Sequence, residues 1–60
     1  MTRKHFIAIA ASLNVQVKAA RGNVQSMETM RGVISSLATE FEAFNPNFDR
    51  VKFIEACMAR

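Results

Sequence analysis

Met27, Met30, Ile34, Leu37, Phe41 and Phe44 follow one another at spacings of three, four, three, four and three. That rhythm is the apolar seam of a heptad-type helix. The residues between them are mostly polar or small: Glu28, Thr29, Arg31, Gly32, Ser35, Ser36, Thr39, Glu40 and Glu42. Alternation at period two fails at almost every step, which rules against a strand. The pattern predicts an amphipathic helix over 24–44, with Leu37 fully buried at the middle of its seam.

Upstream, Phe6, Ile9, Ala10, Leu13, Val17 and Ala20 fall within one arc of about 100° at 100° per residue. They predict a first helix over 3–21, capped by Thr2. Ile7, Ala11 and Val15 form a second apolar strip well away from that core face, with Arg3, Lys4, Lys18 and Arg21 on its side. Arg21-Gly22-Asn23 reads as a stop and a start. Gly22 suits the left-handed position after a helix, and Asn23 or Ser26 can cap the next one. So short a connection predicts adjacent, antiparallel helices. Gly32, Ser35 and Ser36 make a small-residue patch where another helix could approach closely.

Asn45-Pro46-Asn47 ends the second helix, because proline disfavours the α conformation in the residue before it. A third helix over 48–59 is expected, with Asn47 as its cap and Asp49 in its first turn. Its apolar face would be Phe48, Val51, Ile54 and Met58, with Phe53 and Cys57 beside them. A helix of this length is marginal alone and should fold back onto the first two. The fold class is therefore all-α: one domain over 1–60, built as a long antiparallel helical hairpin plus a short third helix.

Size sharpens this picture. A 60-residue chain buries only about 60% of its unfolded surface, so its core supplies no more than about 3–5 kcal/mol. One cysteine excludes an internal disulfide, and one histidine with it cannot furnish a four-ligand zinc site without carboxylates. The support expected in their place is another chain. Two apolar faces on the first helix point the same way, to a homodimer packed near Ala11.

The net charge of +3 is uneven. Residues 1–21 hold four basic side chains and no acid, while the remainder is slightly acidic. This asymmetry suits an acidic partner surface. The longest apolar run, Phe6 to Ala11, is far too short to cross a bilayer. It is also too short for a signal sequence, and polar Asn14, Gln16 and Lys18 follow it closely. With a lone thiol, this predicts a cytoplasmic setting and no membrane partner.

The opening Met1-Thr2-Arg3-Lys4-His5-Phe6 before an Ala-rich helix resembles the start of many small phage and prophage proteins. The ending Asn45-Pro46-Asn47-Phe48-Asp49-Arg50, then Lys52-Phe53 and Ala56-Cys57, is similar to the end of the same proteins. Those proteins commonly carry glycine after the cysteine, where this chain has Met58. The resemblance covers about a third of the chain. It implies a short protein of viral origin that acts in the host cell by binding a host protein, and it brings no catalytic residues.

Candidate chemistry is sparse. His5 and Cys57 could form a thiolate–imidazole pair if the third helix docked near the start of the first. No orienting third group or Gly-rich oxyanion element accompanies them, so Cys57 reads as a buried structural thiol and His5 as an exposed helix-end residue. Arg3 and Arg21 lie about 27 Å apart along a helix, and with Lys4 and Lys18 they could track phosphates. Only Asn14 is centred on that face to read base edges, and no Tyr or Trp is present for base stacking. All five phenylalanines fit core faces, and Met27 and Met30 read as core filling.

The residues assigned to partner binding are Arg3, Lys4, Ile7, Ala11, Val15, Lys18 and Arg21. The function expected is non-enzymatic binding of a host protein, with no cofactor and no metal. A nucleic-acid-binding module using the basic first helix and a structural assembly protein are the alternatives.

Overall fold

The computed structural model describes residues 2–60; Met1, part of the resemblance at the chain's start, lies outside them. It is all-helical: α1 spans Arg3–Ala20, α2 Val24–Phe44 and α3 Arg50–Met58. The longest dimension is 34 Å, close to the roughly 31 Å that a 21-residue helix spans. α2 therefore sets the length of the molecule.

Each helix boundary has a chemical cause. The Thr2 backbone N–H donates to His5 Nδ1 at 3.1 Å, a capping-box arrangement with imidazole in the usual Glu or Gln position. α1 stops where Gly22 takes φ 91°, the left-handed conformation that costs glycine least. Asn23 then caps α2, its side-chain oxygen accepting from the Ser26 N–H at 3.0 Å. α2 ends at Asn45, whose carbonyl accepts from Phe48 N–H and whose side chain accepts from Asn47 N–H. Asn47 is thus spent in a turn, not in a cap. The cap of α3 is Asp49, accepting from Lys52 N–H at 3.0 Å, and the helix begins two residues later than expected.

That shift frees Phe48 from the helix and aims it inward. It sits immediately before the cap and packs against Phe53 in the first turns, with ring centroids 5.4 Å apart. The pair is a hydrophobic staple, which fixes the angle at which α3 enters. Phe6 lies 5.0 Å from Phe41 and 4.7 Å from Phe48, and Phe41 lies 5.5 Å from Phe53. Four rings from all three helical segments thus form one cluster. Each tilted or edge-on pair adds about 0.5–1.5 kcal/mol beyond its buried area.

The start of α1 accordingly meets the end of α2 and the start of α3. The buried core is Ala10 and Val17 of α1, Ile34, Ala38 and Phe41 of α2, and Phe53 and Cys57 of α3. Phe6, Ile9, Leu13, Met27, Met30, Leu37, Phe48, Ile54 and Met58 pack around it, partly buried.

Several expected core positions move outward. Leu37 is only half-buried, and Phe44 is 84% exposed. A repeat of seven falls about 20° short of two full turns of a straight helix. The line Met30, Leu37, Phe44 therefore drifts off the core axis, and Ile34, Ala38 and Phe41 hold the centre. On α3 the expected face is rotated likewise: Phe53 and Cys57 are buried while Val51 is 63% exposed. Gly32 faces open space, with nothing within 4 Å of where a Cβ would stand. Ser35 in the same patch instead accepts from Arg50, 3.1 Å away. No helix of this chain makes the expected close approach at Gly32.

Candidate partner-binding cleft and the basic face of α1

α3 lies alongside α1 in the same direction, and polar side chains hold its two ends. At its start, Arg50 donates to Thr39 Oγ1 at 2.9 Å and to Ser35 Oγ at 3.1 Å, and its guanidinium is 3.9 Å from Glu42. At its end, Asn14 Nδ2 donates to the carbonyls of Cys57 (3.0 Å) and Ala59 (2.6 Å). Arg21 donates to the carbonyls of Met58 and Ala59, each at 3.2 Å. The last carbonyls of a helix have no partner within it, and a guanidinium there also suits the negative end of the dipole.

This placement gives two residues a role within the fold. Asn14 is held by the end of α3 and does not stand free for a base edge. Arg21, one of the residues assigned to partner binding, also clamps the end of α3. All seven candidates face solvent: Arg3, Lys4, Ala11, Lys18 and Arg21 are exposed, and Ile7 and Val15 are each 61% exposed.

Between the starts of α1 and α3 lies a cleft of about 520 Å³. Phe6, Ile7 and Ala10 form one wall, Phe53 and Ala56 the other, and Phe48 closes the end beside Asn45 and Asn47. Arg3, Asp49 and Lys52 also line it. Asp49 spends its carboxylate on the cap of α3. Arg3 and Lys52 form no ion pair among the described residues. The cleft thus combines an apolar lining with two cations that form no ion pair and one capping carboxylate, and Ile7 joins it to the exposed strip of α1.

Of the candidates read from the sequence, Arg3 and Ile7 line this cleft. Lys52, Phe48 and Ala56 were not among them, because only the side-by-side docking of α3 brings them to α1. The one signal available was that Lys52 and Ala56, four apart, share a side of the third helix next to Phe53.

The structure separates His5 from Cys57. Cys57 is fully buried, its carbonyl held by Asn14, nine residues along α1 from His5. That is about 13 Å along the helix axis, so the two form no dyad. Burial pushes the Cys57 thiol up, its own backbone hydrogen bond opposing only in part. Among the described residues no three His, Cys, Asp or Glu side chains gather as a metal site, and no helix is long and apolar enough to cross a membrane. A second, more open hollow of about 490 Å³ lies between Gln16 and Ala20 of α1 and Ser26, Thr29 and Met30 of α2.

No family model, curated protein or solved structure matches this chain.

Proposed function

We propose that this chain is a small accessory protein of phage type that acts without catalysis, in the cytoplasm of a host cell, by binding a host protein. The observation that carries the reading is the cleft: an apolar slot lined by Phe6, Phe48 and Phe53, with Arg3 and Lys52 lacking acidic partners. An apolar anchor beside a carboxylate is the partner chemistry it fits. Desolvating one large apolar side chain there is worth about 1.5–3 kcal/mol, and unpaired cations add steering and specificity. Lys4, Ala11, Val15 and Lys18 extend the contact along α1. The scaffold of the working molecule is an antiparallel α1–α2 hairpin with α3 on one side; the short link at Gly22 and the Phe6–Phe41 contact support it.

The test is affinity capture from a host lysate with the natural chain and with an Arg3→Glu/Lys52→Glu variant. A stoichiometric protein held by the first and lost by the second, at unchanged circular dichroism, is the expected result. A catch removed by nuclease would replace this reading with nucleic-acid binding, and self-association alone would replace it with structural assembly. The engagement of Asn14 and Arg21 within the fold counts against the nucleic-acid alternative.

A further inference from the structure

The half-buried rings of Phe6 and Phe48 stand 4.7 Å apart, and the buried ring of Phe53 is 5.4 Å from Phe48. All three line the cleft between α1 and α3, so the first two keep part of their apolar surface open to it. Arg3, Lys52 and Asp49 are exposed, which puts charge at the rim and apolar surface at the floor. Two cations against one carboxylate leave this rim one net positive charge. Neither cation forms an ion pair among the described residues. Asp49 is turned to the Lys52 backbone N–H, where it caps α3.

We infer that this cleft is a binding site for a free small molecule carrying one carboxylate on an apolar tail. Size is the first argument. The cleft holds about 520 Å³, within the range of about 300–1,000 Å³ that takes small-molecule ligands, and more than one inserted side chain fills. Charge is the second. One carboxylate brings the lining to neutrality, and the fork of Arg3 suits its geometry. A second carboxylate would stand beside Asp49 and be repelled. An uncharged tail would leave both cations nothing to hold. The floor is the third, because an inorganic anion gains nothing from aromatic surface. The inference rests on the cleft identified in the proposed function but not on a protein partner, with which a free carboxylate would compete.

Titration of the ¹⁵N-labelled chain with sodium decanoate, below its micelle concentration, tests it by nuclear magnetic resonance. Saturable shifts are expected at the amides around Phe6, Phe48 and Phe53. Decanol, with no charge, and decanedioate, with two, should each bind about tenfold more weakly, the loss of one charge-assisted contact. Arg3→Gln/Lys52→Gln should bring decanoate down to the level of decanol at unchanged circular dichroism. Asp49→Asn, which keeps a capping side chain, should strengthen decanedioate binding. Decanol that binds as tightly as decanoate overturns the inference, as does decanoate binding indifferent to the loss of both cations. Shifts centred on exposed Val33 and Phe44 overturn it as well. Decanoate that does not bind also overturns it while leaving capture of a host protein untouched, whereas a decanoate complex with no protein captured supports it and removes the proposed function.

Discussion

Cys57 shows how one side chain can set a solution property of the whole chain. It is fully buried, and burial holds its thiol above its ordinary value. An unfolded thiol titrates near pH 8.5. Above that pH the unfolded state sheds a proton that the folded state keeps, so stability falls as pH rises from about 8.5 towards the folded value. Below pH 8.5 both states hold the proton and the contribution is complete. Urea melts from pH 7 to 10 should show this decline, and Cys57→Ala should flatten it. A thiol reagent at neutral pH should label the folded protein at least tenfold more slowly than the urea-unfolded one. Phe44 teaches the opposite lesson at this scale. Its spacing places it on the seam, and only the drift between a seven-residue repeat and a 3.6-residue turn exposes it.

Among the elements, α1 and α2 were legible nearly to the residue because local chemistry writes their ends. Gly22 and Asn23 stop and restart the chain through backbone conformation and a side-chain cap, which need no knowledge of tertiary structure. α3 was legible as a helix but not in its cap or its buried face. Asn47 and Asp49 are both good caps, and the choice between them depends on Phe48 entering the aromatic cluster, a tertiary fact. The polar ties on α3 were invisible for the same reason, since Asn14 and Arg21 meet its carbonyls across more than 35 residues of sequence. Those ties matter most for so short a helix. Asn14→Ala should cost about 1–2 kcal/mol, as a part-buried donor leaves helix-end carbonyls unsatisfied. Arg21→Ala, being exposed, should cost less. Amide exchange should speed up in the last turn of α3 for both variants and stay unchanged in the first turns of α2. Equal acceleration throughout the molecule would mean that the ties support the global fold and not that helix end.

On the scale of the whole molecule, charge is divided by side. Arg50 is spent on α2 and Arg21 on α3, which leaves six other cations, of which Arg3, Lys4, Lys18 and Lys52 stand on α1 or line the cleft. On duplex DNA each phosphate neutralised contributes a slope of about −0.9 in log affinity against log salt. With dispersed cations, and with Asn14, the base-reading side chain centred on the basic face, held by the end of α3, generic duplex should bind negligibly at physiological salt. Fluorescence anisotropy of a labelled duplex checks this. Micromolar binding there, lost when these four positions are neutralised, would reverse the ranking of nucleic acid and protein as partners.

The cleft also has a history in time. Its two walls come from nearly opposite ends of the chain, Arg3 and Phe6 on one side and Lys52 and Phe53 on the other. Contacts so distant in sequence close late, after the local turns have formed and the loop entropy between them has been met. A chain emerging from the ribosome therefore displays the basic strip of α1 before it possesses the slot beside it. On the proposed function, competence to grip a partner therefore waits until α3 has docked beside α1.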